Sequence, residues 1–225
     1  KGVAMGNLQI QQRWFYKYLG IGIVSLMVMG GVNAQNNTVH AICSTDQGWC
    51  ELAASEFQKA TGIKILQTRK PTGEALAQLR AEAANPKTDL WWGGTGDPFL
   101  QAAESNLLEP YRPAYINDLH SWSVRQYAMS GNMVGGFYTS AIGFGFNTDL
   151  LKKKKLPIPQ CWSDLIKPIY KGDIEISHPA SSGTAYTILA GLVQLMGEDK
   201  AFEYMKALHK NVVQYTRSGT AQAPN

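Results

Sequence analysis

Apolar residues recur along the chain with two periods. Thr38-Val39-His40-Ala41-Ile42-Cys43, Ile63-Lys64-Ile65-Leu66 and Thr88 to Trp92 read as short strands. Between them the spacing becomes helical. Gly48 to Thr61 carries Leu52, Ala53, Phe57 and Ala60 on one predicted face, and Gly62 stands where a helix C-cap glycine belongs. Thr72-Gly73-Glu74 opens a second helix with Leu76, Leu79 and Ala83 inward, stopped by Asn85-Pro86. A third helix is expected from Asp97-Pro98, with Asp97 as N-cap and Pro98 at the first helical position. Strands alternating with helices of this length predict an α/β fold with a parallel sheet covered by helices.

The middle of the chain breaks this rhythm. Residues 109–136 mix tyrosine, proline, tryptophan and glycine without a period, and Val134 to Asn147 reads as two short extended segments. Lys152 to Lys155 reads as a solvated helix end. Alternation then resumes. Asp173 to Ser177 is a strand, Ser182 to Met196 an apolar helix closed by Gly197, and Glu198 to Lys210 an amphipathic helix with Phe202, Met205, Ala207 and Leu208 inward. Asn211 to Thr216 is a further strand, and Ser218-Gly219-Thr220 looks like the start of another helix. A second α/β unit is therefore expected to begin near residue 144.

The first residues have a different character. Lys1, Arg13 and Lys17 are basic, Leu19 to Val32 is a glycine-rich apolar run, and Val32-Asn33-Ala34 supplies small residues before polar Gln35-Asn36-Asn37. That order predicts a secretory signal over residues 1–34, cleaved after Ala34. The run is short for a membrane-spanning helix, which wants roughly 20 apolar residues. A soluble exported protein is the expectation. These three cations account for most of the formal net charge of +4, so the basic excess is an address rather than a nucleic-acid surface.

Export to an oxidising compartment changes how the cysteines read. The chain has 3 of them, too few for a disulfide-framed miniprotein. Cys43 ends a strand and Cys50 falls in the first turn of the next helix, so a disulfide would clamp the loop between them. The alternative is two small buried apolar side chains. Neither cysteine has metal-ligand spacing, and no metal or other cofactor is expected.

Five loops follow strands and lead towards helices through small hydroxyl or glycine residues: Ser44-Thr45-Asp46, Thr72-Gly73-Glu74, Gly93-Gly94-Thr95-Gly96-Asp97, Ser181-Ser182-Gly183-Thr184 and Ser218-Gly219-Thr220. A helix N-terminus offers unpaired N–H groups and partial positive charge. Glycine lets a ligand approach the backbone, and Ser and Thr add donors, so such loops can hold an anion without a lysine. In a parallel sheet they lie at the carboxyl ends of strands, where ligands bind. Each loop taken singly is also an ordinary helix cap. Arg69, Lys70 and Arg217 flank two of them, and His178 and Tyr215 lie within reach of the set. The chain has no GxSxG, HExxH or Walker lysine loop, and Gly94 and Gly96 lack the third glycine of a dinucleotide fingerprint.

At these loops the sequence resembles the periplasmic solute-binding proteins of ABC importers, in the ferric-iron and thiamine group and nearest its hexose-phosphate branch. The resemblance runs through CSTDQGWCE (43–51), FQKATGIKI (57–65), TRKPTGEALAQLRAE (68–82), DLWWGGTGDPFLQAAE (89–104), GFGFNTDLL (143–151), CWSDL (161–165), HPASSGTAYT (178–187), LMGEDKAF (195–202) and QYTRSGTA (214–221). It implies a two-lobed periplasmic-binding-protein type II fold. Residues 35–143 would form the first lobe. Residues 144–225 would form an incomplete second lobe, with 144–147 on a crossing strand and the chain truncated before the second lobe closes. It also implies an inner-membrane permease and ATPase as partners, a monomer in the periplasm, and capture rather than catalysis. Ser181, Ser182, Gly183 and Thr184 would hold an anionic ligand such as a sugar phosphate. Thr95, Asp97 and Glu74 would read hydroxyls, and Ser44 and Thr45 would close over it. Two positions depart from the pattern: Pro71-Thr72-Gly73 stands where a Ser-Ser-Gly loop is expected, and Phe99 where a histidine is expected. Alternative ligands are ferric iron and thiamine or its phosphates. A secreted hydrolase would have to use His178 beside Ser181 as base and nucleophile.

Overall fold

The computed structural model describes residues 37–219. The predicted signal over residues 1–34 and Thr220 of the last predicted loop lie outside the described residues. Two parallel sheets organise the chain. The first has the order β2-β1-β3, formed by β1 (Thr38–Cys43), β2 (Lys64–Arg69) and β3 (Leu90–Trp92). The second pairs β4 (Ile174–Ser177) with β5 (Val212–Thr216). Between the strands run α1 (Gln47–Thr61), α2 (Thr72–Glu82) and α3 (Gly96–Glu104), then α4 (Ser121–Met129) and α5 (Thr148–Lys154), then α6 (Gly183–Met196) and α7 (Glu198–His209). No helix among the described residues is long and apolar enough to cross a membrane.

Each sheet has its own core. Ile42 of β1 and Trp91 of β3 pack against Ala75, Leu76 and Leu79 of α2 and Ala102 of α3. Phe99 stacks on Trp91 with ring centroids 3.7 Å apart, so the residue standing where a histidine was expected serves packing. In the second core, Ile176 of β4 meets Leu192 of α6, Ala201, Tyr204 and Leu208 of α7, and Leu165. Burial pushes the Tyr204 phenol up to about 12, and its hydroxyl donates to the Trp162 carbonyl at 2.6 Å. Buried Asn211 ties the same core to the Leu165 and Lys167 carbonyls, each at 2.8 Å.

Several sequence expectations shift. Leu52 and Phe57 of α1 are 62% and 39% exposed and Ala53 and Ala60 are also exposed; Cys50 is the helix's buried residue. A disulfide joins Cys43 to Cys50, with Cα atoms 6.0 Å apart, so this helix is held by a covalent tie more than by an apolar face. On α7 the buried stripe is Ala201, Tyr204 and Leu208, and Phe202 faces outward. Asp97 is not an N-cap: Thr95, extended at φ −87° and ψ 149°, precedes a helix that starts at Gly96. Asp97 and Pro98 sit in the first turn, where backbone N–H groups have no intrahelical partner and proline loses nothing. The two extended segments predicted over 134–147, including the crossing strand at 144–147, pair with no strand among the described residues. Backbone groups there bond to side chains instead: Val134 N–H donates to Ser130 Oγ at 2.9 Å, and Ser123 Oγ donates to the Gly136 carbonyl. The lysine run does end a helix, α5, which Asn147 caps by accepting from the Asp149 and Leu150 amides.

Candidate functional site

Strand ends position the site. In a parallel sheet every strand leaves from the same edge, so the loops after β1, β2 and β3 emerge side by side. Ser44 follows β1; its amide donates to the Trp92 carbonyl at 2.9 Å, and its Oγ accepts from Trp91 Nε1 at 2.8 Å. The Thr45 carbonyl accepts from Arg69 Nε at 2.8 Å, while Asp46 is exposed at the start of α1. Thr72, Gly73 and Glu74 form the first turn of α2, and Thr95, Gly96 and Asp97 the start of α3. Gly94 is gripped by Tyr138, whose hydroxyl accepts from the Gly94 amide at 2.8 Å and lies 3.3 Å from its carbonyl.

The loop after β4 comes from the other sheet and meets them. Ser182 caps α6, its Oγ accepting from the Ala185 amide at 3.4 Å. Gly183 is the first residue of α6, and a β-carbon there would overlap both Thr72 Oγ1 and Thr95 Oγ1. Those two hydroxyls are buried without a hydrogen-bond partner, and Thr72 as a whole is 2% exposed. Three helix starts, two from the first sheet and one from the second, therefore converge on one small volume. Their first-turn amides lack intrahelical acceptors and carry the positive end of the helix dipole.

Contacts across this junction are specific. Gly73 N–H donates to the Ser181 carbonyl at 3.0 Å. Thr187, one turn along α6 from Thr184, donates to Asp97 Oδ2 at 3.4 Å. Arg217, just after β5, donates from Nε to Glu74 Oε1 at 2.8 Å and from its terminal guanidinium nitrogen to Oε2. That hydrogen bond, opposed by a smaller effect of burial, holds the Glu74 carboxyl below its ordinary value. Arg69 reaches Ser218 Oγ at 3.5 Å, and Gly219 packs on the Thr184 side chain.

Two predicted site residues sit in a different group. The His178 ring faces Tyr215 edge-on with centroids 5.9 Å apart, and Tyr215 Oη lies 3.0 Å from His209 Nδ1. His178 Nδ1 accepts from the Ala180 amide at 3.1 Å, whereas Ser181 Oγ donates to the Arg217 carbonyl at 3.0 Å and the His178 carbonyl at 3.3 Å. Base and nucleophile are thus each engaged elsewhere. Sequence reasoning missed Thr187 and the role of Tyr138. The i to i+3 spacing of Thr184 and Thr187 on one helix face was the available signal for the first. Nothing local signals the second.

Two parallel α/β units with helix starts meeting between them define a periplasmic-binding-protein type II fold, the two-lobed architecture that the loop motifs implied. The family model for bacterial extracellular solute-binding proteins matches residues 85–225, and the chain belongs to that family. An uncharacterised Haemophilus influenzae protein is 40% identical over 201 residues, which is 89% of this chain. The solved periplasmic binding protein AfuA from Actinobacillus pleuropneumoniae, with exogenous fructose-6-phosphate bound, is 42% identical over 84% of this chain at a TM-score of 0.74. The solved periplasmic binding protein P5PA is 36% identical over 83% at a TM-score of 0.79. The chain spans 58% of the Haemophilus relative's length and 59% of each solved chain.

Proposed function

We propose that this protein is the extracytoplasmic receptor of an ABC importer, capturing a small organic phosphate, a phosphorylated sugar, between its lobes. The observation that carries the reading is the pair of buried, unpartnered hydroxyls of Thr72 and Thr95 over the N-terminus of α6. An unsatisfied buried hydroxyl costs about 1–3 kcal/mol. Once the junction parts enough to admit it, an anionic oxygen would accept from both hydroxyls and from first-turn amides of α6, offsetting the cost with charge-assisted bonds. A neutral ligand would draw nothing from the helix dipole.

In this reading Ser181, Ser182, Gly183 and Thr184 hold the phosphate, Asp97 faces sugar hydroxyls, and the Ser44–Thr45 turn closes from the first lobe. Residues 35–143 and 144–225 form the two lobes; the edge-on contact of Phe144 with Trp162 in the second core supports a boundary there. Family membership supports docking, from the periplasm, on an inner-membrane permease that is coupled to its own ATPase. AfuA's bound fructose-6-phosphate makes that compound the first probe. Differential scanning fluorimetry is expected to give a thermal shift with fructose 6-phosphate and none with fructose at equal concentration. Equal shifts from both would overturn the phosphate reading.

A further inference from the structure

The start of α2 meets the loops of the second sheet through two adjacent residues. Gly73 donates its N–H to the Ser181 carbonyl, and a β-carbon at this position would overlap the Ala180 carbonyl. Only a glycine lets the two backbones approach this closely. Gly73 is also the second residue of α2, so its N–H has no acceptor within its own helix. Its hydrogen bond exists because the two halves of the molecule touch. One residue further on, both oxygens of Glu74 accept from the guanidinium of Arg217, 143 positions away in sequence. Thr72, the neighbour on the other side, carries one of the two unpartnered hydroxyls over Gly183. Thr72, Gly73 and Glu74 are thus a buried hydroxyl over the start of α6, a backbone contact and an ionic contact in one helical turn.

We infer that Glu74 and Arg217 are positioning residues for ligand capture, a cross-lobe ion pair that sets how fully the α2 start closes on the second lobe. The inference rests on the ligand cleft proposed above and gives Glu74 a task other than reading ligand hydroxyls. Both carboxylate oxygens are occupied by a planar fork that matches them, the arrangement in which arginine is hardest to replace. The Arg217 side chain is 78% exposed and that of Glu74 27%, so water and salt screen the attraction. A modest pair is still decisive for a hinge, because an opening equilibrium near balance responds to small free energies. Apparent affinity falls in proportion to the fraction of molecules that are closed. By biasing closure before ligand arrives, the pair sets that fraction, and it does so without touching the ligand.

The test reads closure without any ligand. Amide exchange of Gly73 would be followed by NMR in the wild-type chain, in E74Q, in R217Q and in the charge-swapped E74R/R217E protein. A partly exposed ion pair is expected to shift the closing constant about two- to fivefold, so each single variant should speed Gly73 exchange measurably but by less than about twofold from near balance. Charge reversal is expected to restore protection, and raised salt to shrink the difference. A purely local role of either side chain would give no rescue by the swap. Unchanged exchange in both single variants, or failure of the swap to restore it, overturns the inference. Should E74Q fold poorly, R217Q reads the same contact from the other lobe. Fructose 6-phosphate titrations run alongside are expected to weaken by about 1.5- to threefold in each single variant, following the closed fraction, and to recover in the charge-swapped protein. Exchange that responds in a protein that binds no sugar phosphate supports the closure pair and removes the ligand assignment.

Discussion

Helices α1 and α7 are built from the same kind of sequence and held in opposite ways. Both lie beside a parallel sheet, and both carry apolar residues at helical spacing. In α7 that spacing is used: Ala201, Tyr204 and Leu208 are buried in the second core. In α1 it is left in solvent, and the helix is pinned through Cys50 to the end of β1. The comparison teaches that a covalent tie can stand in for an apolar face. A short loop closed by a disulfide restricts the unfolded chain, whereas a buried stripe draws on water release. The same contrast bears on the site: Cys43 immediately precedes Ser44 and Thr45, so the tie adds to the hydrogen bonds that hold this turn.

Breaking the second core is expected to have the largest effect. Leu208→Ala should cost about 3 kcal/mol, as large-to-small changes at well-packed positions do, and lower the midpoint of urea unfolding with no change confined to α1. Removing the tie by Cys50→Ser is expected to cost about 2.5 kcal/mol from loop entropy. Hydrogen exchange should then rise across α1 and the end of β1 while α7 stays protected. Equal acceleration in both helices would erase the distinction between them.

A third change separates stability from function at the junction. Thr72→Val keeps the shape and deletes the buried hydroxyl, so the melting temperature is expected to hold or rise, because an unsatisfied group disappears. Fructose 6-phosphate affinity is expected to fall about tenfold, the worth of one hydrogen bond to a charged group. A drop in both would mean that the hydroxyl stabilises the empty protein.

The smallest expected effect is acid sensitivity of the Glu74–Arg217 pair. The Glu74 carboxyl is held below its ordinary value by its hydrogen bond to Arg217. A depressed carboxyl contributes stability that is fully present above the unfolded value and is lost as pH falls through the folded one. Gly73 exchange, corrected for its intrinsic pH dependence, should therefore be flat above pH 5 and accelerate below 4. E74Q should show no such step.

Legibility in the sequence was uneven for physical reasons. Strand β1, helix α6 with Ser182 before it, and the strand–loop–helix order could be read because caps and periods are local properties. Helix α4 was missed, since Trp122, Tyr127 and Met129 set no apolar period and its buried residues are Ser123 and Tyr127. The stripe of α1 was legible as a period, and the structure leaves that face exposed. Periodicity says which residues share a side, and only a neighbouring element decides whether that side is covered. Asp97 slipped from cap to first turn because helix starts differ by a residue or two whenever several good caps are adjacent, as Thr95 and Asp97 are. The cysteines could be read as a pair, but not as a substitute for burial.

Sequence by itself determined the grammar of this protein: parallel strands, turns of small residues at their carboxyl ends, and the family those turns identify. These follow from bond rotations, hydrogen-bond donors and spacing within a dozen residues. Tertiary structure alone decided that Thr72 and Thr95 would meet Gly183, that Gly73 would touch Ser181, and that Glu74 would find Arg217. Each of those contacts joins residues far apart along the chain, so its energy depends on how two separately built sheets come to rest, which no local pattern encodes.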